Sequence, residues 1–269
     1  MADLPLFELD RVGYAQQGME ILADVSWQIR AGEHWAVLGP NGSGKSTLLK
    51  IATGYLWPTS GVVRRLGEEL LDLGELRRSI GWISNDVVGL IPPDETGIET
   101  VISGKFGQFG LRRLPVSTPT AEEWALADKQ LVDLGCESLS RKRFGIMSQG
   151  ERQQLLVARA RMAGPLLLVL DEPCAGMDPG VRERFLGWLD ERLQTTPSPV
   201  VVLVTHHMEE VMPGLKQTLV LREGRIHCQG PTAEVLTQST IEQVYQTKLE
   251  RIERSGGRNW PIWGSADDA

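Results

Sequence analysis

The stretch Trp35-Ala36-Val37-Leu38-Gly39-Pro40-Asn41-Gly42-Ser43-Gly44-Lys45-Ser46-Thr47 decides the fold. Its first four residues read as a short apolar strand. Gly39 to Ser46 then match the pattern G-x-x-x-x-G-K-[ST], and a helical pattern runs from Ser46 to Ala52, closed by Gly54. Strand, glycine-rich turn and helix in this order are what phosphate binding needs. The glycines let backbone N–H groups turn inward around phosphate oxygens, and the helix start adds the positive end of its dipole. Lys45 is expected to bridge the β- and γ-phosphates of a nucleotide. Ser46 should offer its hydroxyl to Mg²⁺, and Thr47 should add a phosphate contact. Gly39, Pro40, Asn41, Gly42, Ser43, Gly44, Lys45, Ser46 and Thr47 are therefore the candidate nucleotide-binding residues.

Further along the chain, Leu166 to Leu170 is apolar on both faces and reads as a fully buried strand ending at Asp171-Glu172. A carboxylate at such a strand end can hold Mg²⁺ through water, which gives Asp171 a metal role. Glu172 is the candidate general base that orients water toward a γ-phosphate. Val200 to Val204 is a second buried strand. Helices are predicted over Thr120 to Leu134, from Ser148 to about Met162, and over Pro179 to Leu193. Ser148 and Glu151 have the S-x-x-E spacing of a capping box, and Asp178 stands as N-cap before Pro179. Buried strands alternating with helices predict an α/β fold with a mainly parallel sheet. The short strands Leu6 to Val12 and Val25 to Ile29 predict an antiparallel part near the N-terminus. Val62 to Arg65 and Ile80 to Ser84 are further strands, and Thr218 to Leu221 with Arg225 to Gln229 reads as a hairpin turning at Glu223-Gly224. The pattern changes from about Asp86 to Gly145, with Pro92-Pro93, Pro115 and Pro119 in loops, as expected of a helical insert. Beyond about Gly256 the chain reads as a loose polar tail, although Trp260 and Trp263 call for some packing.

Composition bounds the function. The 269 residues carry 28 Lys and Arg against 35 Asp and Glu, a net charge of −7. An acidic balance disfavours broad nucleic-acid binding, so no nucleic acid is expected as partner. The longest apolar runs, Pro165 to Leu170 and Val200 to Val204, fall far short of the roughly 20 residues a membrane helix needs. No basic flank with an apolar core opens the sequence, so no secretory leader is expected. Cys136, Cys174 and Cys228 are widely spaced and odd in number, and His34, His206, His207 and His227 lack metal spacing. Free thiols in a reducing compartment are expected, with neither disulfides nor a zinc cluster.

Met147-Ser148-Gln149-Gly150-Glu151-Arg152-Gln153 closely resembles the signature of ATP-binding cassette (ABC) ATPases, usually written L-S-G-G-Q, here in an M-S-Q-G-E form. With the phosphate loop and Asp171-Glu172, the resemblance covers roughly Leu6 to Leu236. It implies a P-loop NTPase core with a helical signature subdomain. Residues 1–250 would form one ATP-binding domain, with a helical insert at about 86–163 and a short tail over 251–269. Ser148, Gln149, Gly150 and Glu151 would then face the nucleotide of a partner cassette. Ala175-Gly176-Met177-Asp178 resembles the loop that crosses the cassette dimer, so Asp178 would serve contact and capping. Val204-Thr205-His206-His207 resembles the switch segment, with His206 hydrogen-bonding the γ-phosphate and steadying Glu172. Two departures stand out. The family's glutamine after the strand Ile80 to Ser84 is Asn85 here, one methylene shorter at a metal position. The adenine-stacking aromatic is expected nearer Gln16 than Tyr14, leaving Tyr14 either a stacking or a core residue.

The resemblance implies ATP and Mg²⁺ as cofactors and an ATPase that couples dimer closure to transport by a separate permease. A second cassette would complete each site, as homodimer or heterodimer, and the protein would sit in the cytoplasm, peripheral on the inner face of the membrane. The alternative is a soluble ABC ATPase acting as a regulator or binding module. A P-loop kinase or GTPase is disfavoured, because the signature and histidine have no place there and no N-K-x-D motif occurs.

Overall fold

The computed structural model describes residues 5–69, 79–112, 118–195 and 199–264, and of Asn85 and Asp86 the backbone only. In chain order the strands are β1 (Phe7–Gln16), β2 (Met19–Ile29), β3 (Trp35–Leu38), β4 (Ser60–Arg65), β5 (Ile80–Ser84), β6 (Leu167–Asp171), β7 (Val200–Thr205), β8 (Gln217–Arg222), β9 (Arg225–Pro231), β10 (Leu249–Ser255) and β11 (Arg258–Trp263). The α-helices are α1 (Lys45–Ala52), α2 (Asn85–Val88), α3 (Gly97–Ser103), α4 (Ala121–Asp133), α5 (Gln149–Arg161), α6 (Pro179–Thr195), α7 (Thr232–Val235) and α8 (Gln238–Tyr245). The chain divides into two compact units, Met1–Leu76 with Leu193–Ala269, and Arg77–Arg192.

In the first unit β3 runs parallel to both β7 and β8, with Val37 opposite Val204 and Leu219. Every residue of β3 and β7 is buried, which is why both sequences are apolar runs up to the closing Thr205 of β7. β9 joins β8 antiparallel through the expected Glu223-Gly224 turn, whose φ values are 49° and 74°. A separate antiparallel sheet has the order β2-β1-β4. Phe7, Trp27 and Trp35 meet edge to face, with centroids 5.2 and 5.6 Å apart, and tie this sheet to β3. Arg65, buried at the end of β4, donates to the carbonyls of Ala52 (2.8 Å) and Ile51 (2.6 Å). A cation there satisfies the orphan acceptors of α1 and complements the negative end of its dipole.

Two expectations about this unit change. The first hairpin is longer than its apolar pattern, because its polar tips pair through a Gln17-Gly18 turn with φ of 53° and 80°. The chain beyond Gly256 is not a loose tail: β10 and β11 form an antiparallel hairpin that turns at Gly256-Gly257. The polar residues of this hairpin are outward-facing and hide the strand pattern, while Leu249 is buried.

In the second unit β5 and β6 are parallel, pairing Ile83 with Leu170 and Ser84 with Asp171. Helix α4 starts at a Thr120–Glu123 capping box, as the 120–134 pattern predicts. Buried Arg159 of α5 donates to the Gln108 carbonyl (2.6 Å) and the Ser103 hydroxyl (3.3 Å), fixing the loop after α3. The helical insert is thus packed into a unit that also holds β5, β6 and most of α6. Among the described residues no helix is long and apolar enough to cross a membrane.

Candidate active site

The phosphate loop lies between β3 and α1. Gly39 has no room for a side chain: a Cβ would collide with the Leu221 carbonyl oxygen and come within 2.8 Å of the Ser43 hydroxyl. Gly44, at φ 99°, is in a left-handed conformation, and a Cβ there would meet Leu22 at 2.7 Å. The loop is therefore wedged between β2 and the β8–β9 turn. Gly224 of that turn donates its N–H to Ser43 O (3.1 Å) and accepts from Ala23 N (2.9 Å). Lys45 is 5% exposed, and its Nζ donates to the carbonyls of Gly39 (2.8 Å) and Pro40 (3.0 Å), which pulls the loop around the ammonium. The Ser43 hydroxyl is buried and, among the described residues, meets no hydrogen-bond partner. A cradle closed by glycine contacts, a buried cation and an orphaned hydroxyl fits a phosphate group. Asn41 and Ser46 are exposed, the latter in the first turn of α1, and Thr47 is half-buried.

The second unit carries the carboxylates. Asp171 ends β6, half-buried, after four buried residues. Glu172 follows at φ 47°, a left-handed conformation rare outside glycine. Its carbonyl accepts from Ala175 N at 3.1 Å, which starts the turn leading to α6. Strain of this kind collects at functional positions. The backbone of Asn85 opens α2 directly after β5, while its side chain lies outside the described residues.

Ser148 is the N-cap of α5 and exposed, and its hydroxyl accepts the Glu151 N–H at 3.3 Å. Gly150 is buried because a Cβ would come within 2.9 Å of Val181 in α6. The Gln149 amide reaches within 3.3 Å of the point where a Cβ on Gly176 would lie, so the start of α5 and the Ala175 to Asp178 loop touch. The backbone carbonyl of exposed Asp178 accepts the N–H groups of Val181 and Arg182, both at 2.9 Å, as α6 begins.

In the first unit His206 follows β7, half-buried, with its ring 4.1 Å from that of His207. The segment is braced by Thr205, which donates to the Glu210 carboxylate at 2.5 Å and accepts the His207 N–H at 3.0 Å. Tyr14, half-buried in β1, pairs with Leu22, the residue that packs on Gly44. The sequence places Leu221 and Gly224 in a hairpin and Thr205 in the switch segment, but does not show that Leu221 and Gly224 brace the phosphate loop or that Thr205 and Glu210 brace the segment after β7. Only the acid five residues after Thr205 left a local trace. Cys136 and Cys174 are buried and Cys228 is half-buried, none of them in a disulfide, and among the described residues no group of three or more His, Cys, Asp and Glu could hold a metal.

Parallel buried strands, a glycine cradle opening a helix and a carboxylate strand end define a P-loop nucleotide-binding domain. Residues 22–175 match the family model described as ABC transporter. The chain is 36% identical over 247 residues to the uncharacterized ABC transporter ATP-binding protein YlmA of Bacillus subtilis, covering 91% of this chain and 92% of that protein. It is 33% identical over 222 residues to the energy-coupling factor transporter ATP-binding protein EcfA2 of Bacillus licheniformis, covering 80% and 73%. CbiO1 of Clostridium perfringens, part of the ABC transporter complex cbiONQ, superposes with a TM-score of 0.74 at 26% identity over 89% of this chain and 94% of that one. The chain belongs to the ABC transporter family, as an ATP-binding and ATP-hydrolysing cassette. The soluble-regulator alternative is set aside, since these relatives are transporter subunits.

Proposed function

We propose that this chain is the motor subunit of a transporter, working as one of two head-to-tail cassettes and driving a separate membrane permease. The observation that carries this reading is the glycine cradle at α1, with buried Lys45 and the orphaned Ser43 hydroxyl; the exposed start of α5 would supply the second anion site. Each nucleotide would lie between the Gly39 to Thr47 loop of one cassette and Ser148 and Gly150 of the partner subunit.

The Ser46 hydroxyl and the Asp171 carboxylate are hard oxygen donors, the set that suits Mg²⁺. These two groups, with the shorter Asn85 amide, would hold Mg²⁺, and the ion would supply neutralisation of phosphate charge. Lys45 releases the Gly39 and Pro40 carbonyls to bind phosphate oxygens. Glu172 accepts a hydrogen bond from the attacking water and orients it. His206 holds that water and the γ-phosphate in line. Loss of the γ-phosphate removes the charge contact across the pair, and the pair opens.

Three exposed apolar residues support a permease contact on the second unit. Leu90, Phe109 and Ile146 are 54%, 44% and 72% exposed. Their loops converge on Pro92-Pro93: a Cβ on Gly110 would touch Pro92 at 2.8 Å and one on Gly145 would touch Pro93 at 2.9 Å. An exposed apolar cluster of this kind suits an apolar partner segment. Such docking holds the protein at the cytoplasmic face of the membrane.

The test is Glu172→Gln in the full chain. It should retain ATP binding, lose nearly all turnover and elute as an ATP-dependent dimer. Wild-type hydrolysis by that variant would overturn the assignment of Glu172. Failure of the wild-type chain to co-purify with any membrane protein would overturn the transport coupling.

A further inference from the structure

The segment after Leu236 carries none of the nucleotide-site motifs, yet it reaches His206. The Tyr245 hydroxyl, at the end of α8, donates to the His206 carbonyl at 2.8 Å. The Tyr245 ring stands edge to face against Trp263 of β11, centroids 5.8 Å apart. Helix α8 is fastened to the hairpin base twice: Leu249 N donates to Glu242 (2.8 Å), and Gln238 donates to Leu249 O (2.9 Å). At the other side of the same helix, Arg222 donates to the Gln243 carbonyl at 2.5 Å. Arg222 precedes the turn whose Gly224 bonds the phosphate loop. One C-terminal element thus grips both the His206 backbone and the strand that walls the loop. Burial, aided by the negative charge of Glu209, raises the Tyr245 hydroxyl above its ordinary pKa, so it stays a donor at working pH.

We propose that Tyr245 is a positioning residue for ATP hydrolysis: its hydroxyl, backed by the β10–β11 hairpin, holds the His206 carbonyl so that the imidazole stays aimed at the γ-phosphate. This rests on the reading of His206 as the γ-phosphate switch. The Tyr245 hydroxyl bonds the His206 backbone and not the Gly39 to Thr47 loop, so ground-state nucleotide binding by that loop should be unchanged. Only the population of correctly aimed His206 changes, and that changes the rate of the chemical step.

The test is a double-mutant cycle on the full chain with MgATP. Tyr245→Phe removes one oxygen and keeps the ring, and a cooperative melt is the check that it is folded. A lost hydrogen bond of ordinary strength predicts a fall in kcat of about three- to tenfold, with KM for ATP unchanged. In a His206→Ala background the same substitution should cost nothing further. A wild-type kcat for Tyr245→Phe beside a slow His206→Ala overturns the proposal alone. An equal fold-loss in both backgrounds also overturns it, since the role is then structural. A wild-type rate for His206→Ala overturns the reading of His206, and the role of Tyr245 with it.

Discussion

The Ser148 N–H donates to the Glu151 carboxylate at 2.8 Å, and the Glu151 N–H donates back to the Ser148 hydroxyl at 3.3 Å. Lys142 adds two contacts of 2.8 Å to the same carboxylate. The glutamate at the end of the M-S-Q-G-E signature is therefore the reciprocal half of a capping box.

Burial raises the Glu151 pKa, but Lys142 and the Ser148 N–H outweigh it, and the net position is below the ordinary 4.5. A depressed carboxylate stabilises the fold above its unfolded pKa, and the benefit is lost as pH falls through the folded value. Ser148→Ala should cost about 1 kcal/mol at pH 7. Glu151→Gln should lower the melting temperature by about 2–4 °C at pH 7. Melting curves across pH should show that difference shrinking below about pH 4.5. A constant gap would mean that the carboxylate charge plays no part in the cap.

Glu172 at φ 47° makes a paired prediction. Glycine adopts this conformation without the Cβ penalty, so Glu172→Gly should gain up to about 1 kcal/mol of stability. The same change should cut ATP turnover at least about a hundredfold, because the water loses its acceptor. Chemical denaturation and steady-state hydrolysis on one preparation check both halves. A variant that is both less stable and fully active would contradict the strained-base reading.

His34 sets a pH dependence in the core. Its Nδ1 accepts the Val201 N–H at 3.0 Å, which requires a neutral ring. Burial lowers its pKa below 6.5, with a hydrogen bond to the Leu193 backbone acting the other way. The unfolded chain therefore takes up a proton first, and stability should fall as pH drops from about 6.5 toward the lower folded value. His34→Gln keeps an acceptor and does not titrate. Denaturant midpoints from pH 7.5 to 5 should slope for the wild type and lose that component in the variant.

Arg159 holds the loop that carries Phe109, stacking over that ring at 5.0 Å as well as bonding Gln108 O and Ser103. Arg159→Met should destabilise by about 3 kcal/mol, since buried acceptors lose a charged donor. Arg159→Lys should restore little, because a single ammonium cannot span the same fork. Thermal melts measure the first effect. ATPase stimulation by the permease should fall in parallel if the Phe109 loop is the docking surface.

The readable and the hidden parts of the site differ by range. The Gly39 to Ser46 loop, the Ser148–Glu151 cap and the Asp171-Glu172 strand end each depend on residues within one turn or one strand, so each is a pattern in the chain. The β10–β11 hairpin was hidden because β10 is mostly exposed and polar, β11 is only half-buried and interrupted by Pro261, and the Gly256-Gly257 turn between them also reads as a linker. The contact of Gly39 with Leu221 leaves no pattern, since the partner atom is a backbone carbonyl that any residue could supply.

The sequence by itself determined the class of fold, the phosphate cradle, the signature and the order in which they follow one another. These rest on dihedral preference, capping and burial period, which are short-range properties of adjacent residues. Only the tertiary structure decided that Arg65 seals α1, that Gly224 braces the phosphate loop and that Tyr245 grips His206. Those bonds join side chains or N–H groups to carbonyls 13, 181 and 39 residues away. Their existence depends on where packing brings the chain back upon itself.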